Sequence, residues 1–265
     1  MILDDVIIPY HSKDCTVINQ CCESLKEILG VKRIFLISWE DPKIDGTIFI
    51  NENDINQIVS YDYIHDLWKS KCLKYSHRTG WIYQQLLKLS ANVLVPDISD
   101  NFLLCDADII FVTNPYKSVD EGIFPYNNSF NNNDVKYGLT YFKLMKYEAL
   151  PNFSAIHHNM VINKHKLSEL KNYIESIHGI SWDMAILDSI DYCLYGSFSE
   201  YDLYANWMLK KYYNLCQNIK IQRLGMNHVP SRKYVNDLRS NKIKPDILVI
   251  QHWYRCSEFV ASHKI

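Results

Sequence analysis

At 265 residues, 48% of them hydrophobic, the chain has enough apolar side chains for a sizeable core in one large domain or two small ones. That excludes wholesale disorder, and a formal net charge of −2 excludes a nucleic-acid or membrane-surface role driven by bulk charge. Eight cysteines without a C-x-x-C pair, mainly in apolar stretches, fit reduced, buried thiols of an intracellular protein. Met1 to Pro9 carries two acids and no basic segment, so it does not read as a secretory signal. No run approaches the ~18 apolar residues of a membrane span. The expectation is a soluble, cytoplasmic protein.

Asp5 to Pro9 reads as a short buried strand that stops at Pro9, with a polar loop through Asp14. Val17, Cys21, Leu25 and Ile28 then recur at helical spacing, and Gly30 supplies the stop. Val31 to Ser38 is a second strand. Strand, helix and strand in succession open a parallel α/β sheet, in which ligands bind beyond the carboxyl ends of strands. His11, Lys13 and Asp14 stand at such an end, as a nucleotide contact or as an ordinary solvated loop. Ile48 to Ile50 suits a further short strand, and Asp54 to Cys72 is partly helical. From Thr79 to Leu89 the pattern is clearer. Thr79 caps, Ile82, Leu86 and Leu89 form a buried stripe, and Trp81, Gln84, Gln85 and Lys88 take the other side. Arg78, just ahead of that helix, is placed to help its N-terminal amides receive a diphosphate. An amphipathic helix with a polar outer face accounts for the same residues.

Phe102 to Val112 is an apolar run interrupted by Asp106 and Asp108. Charged side chains are rarely buried without a partner or a metal. Carboxylates suit Mg²⁺ and Mn²⁺, which take their remaining ligands from water and a substrate phosphate. The plain alternative is a strand that ends at Cys105, with both acids in a solvated turn. Tyr126 to Asp134 is Asn-rich and aperiodic, hence a loop. Lys136 to Tyr141 and Ala155 to Asn163 read as strands, Leu167 to Ile177 as a helix, and Ser181 to Tyr195 as another. Ser199 and Asp202 have the spacing of a capping box at a helix start. Arg223 to Lys244 is polar and surface-exposed, and Ile247 to Trp253 is a last buried strand that carries His252.

The stretches VIIPYHSKD, RTGWIYQQLLKL, LLCDADIIF, HHNMVINKHKL, FSEYDLY and VIQHW span nearly the whole chain in this order. With them the sequence resembles the GT-A-fold, metal-dependent glycosyltransferases, close to an uncharacterised glycosyltransferase-like family. The resemblance implies a single α/β domain with a Rossmann-like mixed central sheet flanked by helices. Residues 1–115 would be the nucleotide-sugar-binding half, roughly, and 116–265 the acceptor-side half. It also implies transfer of a hexosyl or related sugar from a nucleotide-diphosphate donor, a UDP-sugar for preference, to a hydroxyl of a glycan or other acceptor. The transfer would invert the anomeric centre and use Mn²⁺ or Mg²⁺, with no nucleic-acid partner.

Residue by residue, Asp106, Ala107 and Asp108 match the D-x-D that grips the cation and the donor. Pro9, His11, Lys13 and Asp14 match the first nucleotide contact, and Arg78, Trp81, Gln84, Gln85 and Lys88 the donor-side helix. His252 matches the histidine that completes the metal site near the C-terminus, with His228 as the competing choice. Glu200 or Asp202 matches the acid at a helix start that acts as base in inverting members. No Gly-rich acceptor loop stands at HHNMV. Two other readings stay in view: a haloacid-dehalogenase-type phosphatase, whose D-x-D also follows an apolar strand, and a non-catalytic nucleotide-sugar-binding domain.

Overall fold

The computed structural model describes residues 1–128, 135–241 and 244–250. β1 (Asp5–Pro9), α1 (Ile18–Ser24), β2 (Arg33–Ser38) and β3 (Ile48–Asn51) come first. α2 (Tyr61–Cys72), α3 (Thr79–Leu89) and the single turn α4 (Ala91–Leu94) follow, then β4 (Asn101–Cys105), β5 (Ile109–Phe111) and β6 (Phe124–Tyr126). The next stretch holds α5 (Val135–Met145), β7 (Asn159–Asn163), α6 (Lys164–His178), α7 (Trp182–Ser189) and α8 (Glu200–Lys211). β8 (Cys216–Asn218), β9 (Arg223–Met226), α9 (Arg232–Ser240) and β10 (Ile247–Ile250) are last. These elements form two compact units. The first takes Met1–Glu52, Leu103–Glu121 and the chain from Ile219 on; the second takes Asn53–Phe102 and Gly122–Asn218.

In the first unit β1 runs between β2 and β4, with β3 outside β2, and every pair is parallel. Parallel strands covered on both faces read as continuous apolar runs rather than alternations, and all five residues of β1 are buried. Each fully buried Ile there contributes about 1.5–3 kcal/mol. The exception is Asp5, fully buried at the start of the strand. Arg33, its register partner on β2, answers it with a forked contact, Nη2 to Oδ2 at 2.7 Å and Nε to Oδ1 at 2.8 Å. α1 buries Ile18 and Cys21, runs on through a π turn (Leu25–Leu29), and stops at Gly30, whose φ of 72° suits only a residue without Cβ. A second, mixed sheet places β10 between β5, antiparallel, and β9, parallel. Ile110, Val112, Leu248 and Ile250 from it pack with Val17 and with Val235 of α9 in one core. The polar stretch Arg223 to Lys244 therefore contains β9, a strand of this sheet, and α9, which packs on it through Val235.

In the second unit α8 is buried from Glu200 to Leu209, on every face, so its contacts with neighbours rather than its amphipathicity hold it. Phe124 of β6 meets Tyr204 edge-on, ring centroids 5.4 Å apart, and Tyr173 of α6 meets Trp207 at 5.1 Å. β6 and β8 pair in parallel. Two sequence expectations fail here. Lys136 to Tyr141 is not a strand but part of α5, whose buried Thr140, Tyr141, Leu144 and Met145 recur at helical spacing. The helix expected over 181–195 ends at Ser189, because Ile190 is extended and the Asp191 carboxylate takes the Cys193 N–H at 2.9 Å to form a turn. Among the described residues no helix is long and apolar enough to cross a membrane.

Candidate active site

The apolar run from 102 to 112 is two strands in two sheets, and the Asp106–Asp108 segment is the turn between them. β4 ends at Cys105, and β5 starts at Ile109. Both acids are half-buried, whereas Ala107 between them is buried. The turn is fixed through its backbone. Cys105 Sγ donates to the Asp106 carbonyl at 3.2 Å, and the N–H of Ile250, the last described residue of β10, donates to the Asp108 carbonyl at 2.8 Å. Two carboxylates on a short, backbone-anchored turn are hard oxygen donors of the kind that suit Mg²⁺ or Mn²⁺. The observed donor set fits such an ion.

β1 and β4 are parallel neighbours with Val6 opposite Leu103 and Ile7 opposite Leu104. The segment after Pro9 and the one after Cys105 thus leave the sheet at the same carboxyl edge, where α/β sheets bind ligands. Tyr10 still donates its N–H to Ile37 at 2.8 Å, after which the chain turns through a 3₁₀ segment (Ser12–Asp14). His11 caps that segment, its Nδ1 accepting from Lys13 N at 3.1 Å, so Nε2 carries the proton of the neutral ring. Partial desolvation, then the charge of Lys13, lowers the pKa of His11. His11 and Lys13 are exposed; Asp14 is buried. His228, the alternative histidine, is exposed in the segment after β9. His252 lies outside the described residues.

The second unit brings another set together. On α3, Gln85 and Lys88 are each only 2% exposed, so the helix has no polar outer face at these positions. Lys88 Nζ donates to Glu200 Oε1 at 2.6 Å and to Tyr201 Oη at 3.1 Å, and Gln85 Oε1 accepts from the Glu200 N–H at 3.1 Å. Two sequence-selected residues from α3 and the acid at the start of α8 therefore form one buried polar cluster. Ser199 Oγ caps α8 by accepting from Asp202 N at 3.2 Å. Asp202 Oδ1 itself accepts from Ala155 N at 2.6 Å, which engages it with the segment ahead of β7.

Arg78, just ahead of α3, meets Trp81 in its first turn. The guanidinium lies 4.1 Å from the Trp81 ring and 4.2 Å from the ring of Tyr195, a stacked arrangement that fixes its plane. Its Nε is buried without a hydrogen-bond partner among the described residues. Burial lowers the pKa of Arg78, while Tyr195 works the other way. Gln84 is half-buried. Sequence reading missed Tyr195 and Tyr201, whose roles come from residues more than a hundred positions away. His158, which the sequence placed among the apolar residues of a strand over 155–163, stands just ahead of β7, and its φ of 64° puts a non-glycine residue in left-handed backbone.

A family described as "Family of unknown function (DUF6492)" matches residues 26–240. No curated protein matches the chain. Among solved structures, galactosyltransferase LgtC in complex with donor and acceptor sugar analogs is similar at a TM-score of 0.51 and 9% identity, covering 98% of this chain and 96% of that one. Mouse xyloside xylosyltransferase 1, in its apo form, is similar at a TM-score of 0.47 and 11% identity, covering 94% of this chain and 97% of its own. The likeness to LgtC gives the fold: mixed α/β, of the GT-A glycosyltransferase kind.

Proposed function

The chain belongs to DUF6492, a family of unknown function, and on that footing we propose that it is a metal-dependent glycosyltransferase. It would move a sugar from a nucleotide-diphosphate donor, a UDP-sugar for preference, to a hydroxyl of a glycan or other acceptor, with inversion. One observation carries the reading. In a GT-A fold, Asp106 and Asp108 occupy the turn at the carboxyl edge where β1 also ends. Asp106 and Asp108 would hold Mn²⁺ or Mg²⁺, which when bound offsets the charge developing on the departing diphosphate. Ala107, small and buried, lets the donor approach the turn. Pro9, His11, Lys13 and Asp14 would contact the nucleoside. Arg78, Trp81 and Gln84 are donor contacts in the same proposal. For a third metal donor we propose His252, which lies outside the described residues.

Glycosyl transfer passes through an oxocarbenium-like state. The anomeric carbon loses its bond to the diphosphate oxygen and gains one to the acceptor oxygen, whose proton goes to a carboxylate. We assign that base to Glu200. Lys88 Nζ pairs with its carboxylate at 2.6 Å, and Gln85 holds the backbone of the first helical turn. Asp202, occupied by Ala155 N, is a positioning residue for the acceptor side. The 4% exposure of Glu200 favours a second reading, in which the Lys88–Glu200 pair is structural only. Calorimetry with UDP, with and without Mn²⁺, tests the metal site. Asp108→Asn should abolish the Mn²⁺-dependent part of nucleotide binding, and nucleotide affinity that ignores both Mn²⁺ and Asp108→Asn rejects the site.

A further inference from the structure

A helix that buries one face ordinarily turns a polar face to water, and α5 does not. Thr140, Tyr141, Leu144 and Met145 are buried, and the helix packs against α6 and α7. At about 3.6 residues per turn those four share one face, and Leu139, Phe142 and Lys143 fall on the opposite one. There Leu139 is 59% exposed and Phe142 51%, with Lys143 exposed beside them. Lys146, also exposed, follows the helix end, its N–H donating to the Phe142 carbonyl at 2.9 Å. Lys210, near the end of α8, reaches the same corner, its Nζ 4.9 Å from the ring of Tyr147. Among the described residues no ion pair engages Lys143, Lys146 or Lys210, and α5 itself contains no acid. Lys166 and Lys211 differ, since both pair with Glu169. Exposed apolar side chains standing singly are ordinary. Two large ones a helical turn apart, rimmed by lysines without carboxylate partners, have the composition of a helix face that lies in a membrane interface.

We propose that this face of α5 docks on a bilayer surface that carries anionic lipid. Leu139 and Phe142 enter the boundary between headgroups and acyl chains, while Lys143, Lys146 and Lys210 meet the anionic headgroups. Charge decides between a bilayer and a second copy of the chain. Two copies joined through this patch by a two-fold axis would set lysines against lysines, which like-charge repulsion opposes. An anionic surface complements the same lysines. The apolar pair alone is too small to anchor the protein, so both contributions are needed. Because the formal net charge of the chain is −2, the attraction is local to the patch and is screened by salt within a Debye length. The inference stands apart from the transferase reading, and binding rather than turnover tests it.

The test is co-sedimentation of the whole, untagged protein with vesicles of phosphatidylcholine alone and with vesicles containing about 30% phosphatidylserine. The expected result is binding to the anionic vesicles only, weakened as salt rises from about 0.1 M to about 0.5 M. Lys143→Gln and Lys146→Gln should each lower the partition coefficient about fivefold. Leu139→Ser combined with Phe142→Ser should lower it about tenfold or more. All these positions are exposed, so the variants should keep the parent thermal midpoint, which is measured alongside. Lys166→Gln, whose lysine is paired with Glu169, should bind as the parent does. No binding to either vesicle, equal binding to both, or variants at Leu139, Phe142, Lys143 and Lys146 that bind as the parent does would overturn the proposal. So would self-association without vesicles that the Leu139→Ser and Phe142→Ser pair abolishes, since a second copy would then cover the face.

Discussion

Replacing Glu200 by Gln leaves the Lys88 ammonium buried without its carboxylate, at 2% residue exposure. Breaking one side of a buried ion pair costs about 3–5 kcal/mol, whereas replacing both members by apolar or neutral groups is often neutral. Glu200→Gln should therefore lower the urea midpoint sharply, and Lys88→Met combined with Glu200→Gln should restore much of it. A base role adds a second expectation: the stabilised double variant still loses about 10²–10⁴-fold in turnover. Full activity in that variant would leave the pair with a structural role only. Lys171 of α6 is a separate case. Desolvation lowers its pKa to about 7, against the pull of Glu175 and Asp183. Its Nζ donates to Asn92 Oδ1 at 2.6 Å and lies 4.8 Å from the Trp182 ring. An unfolded lysine keeps its proton to pH about 10.4. Between about pH 7 and that value the unfolded state binds more protons, so stability rises with pH; below about pH 7 both states are protonated and the penalty is present in full. Denaturation at pH about 7 and about 9 should show this gain, and Lys171→Met should flatten it. Parallel profiles would contradict the assignment.

At the scale of an element, α6 shows how one residue starts a helix and joins it to a strand. Asn163 closes β7 and caps α6, its Oδ1 accepting from His165 N and Lys166 N, each at 3.1 Å, while its Nδ2 donates to Asn101 Oδ1 at 3.0 Å. Asn163→Ala should cost about 0.5–2 kcal/mol from the cap alone, read as a lower thermal midpoint; no change would mean the cap is not used in solution. Elements of this kind are legible in sequence because their causes are local. β1, β2 and β10 are continuous apolar runs, and Gly30 stops α1 where expected. Lys136 to Tyr141 misled because its Lys-Tyr-Gly-Leu-Thr-Tyr pattern alternates over a short window, while the helical repeat appears only when Leu144 and Met145 are included. The carboxylates of the site were legible at Asp106 and Asp108, since acids inside an apolar run stand out. Burial of Gln85 and Lys88 was not, because it depends on Glu200 and Tyr201 arriving from another helix.

For the molecule as a whole, the chain passes between its two units at 52/53, 102/103, 121/122 and 218/219. No composition shift marks these crossings, and the one at 102/103 falls inside β4, where an apolar strand conceals it. The order of units was thus invisible in sequence, although the fold class was not. The division of labour between a nucleotide-sugar half, about 1–115, and an acceptor half, about 116–265, remains our proposal. The central claim, transfer of a sugar from a nucleotide donor, is tested most directly by incubating the protein with Mn²⁺, an acceptor panel and a panel of nucleotide sugars. The account predicts release of free nucleoside diphosphate from one donor class, lost on chelation and in both Asp106→Asn and Asp108→Asn. Release of inorganic phosphate instead, or of no nucleoside diphosphate from any donor, would contradict it.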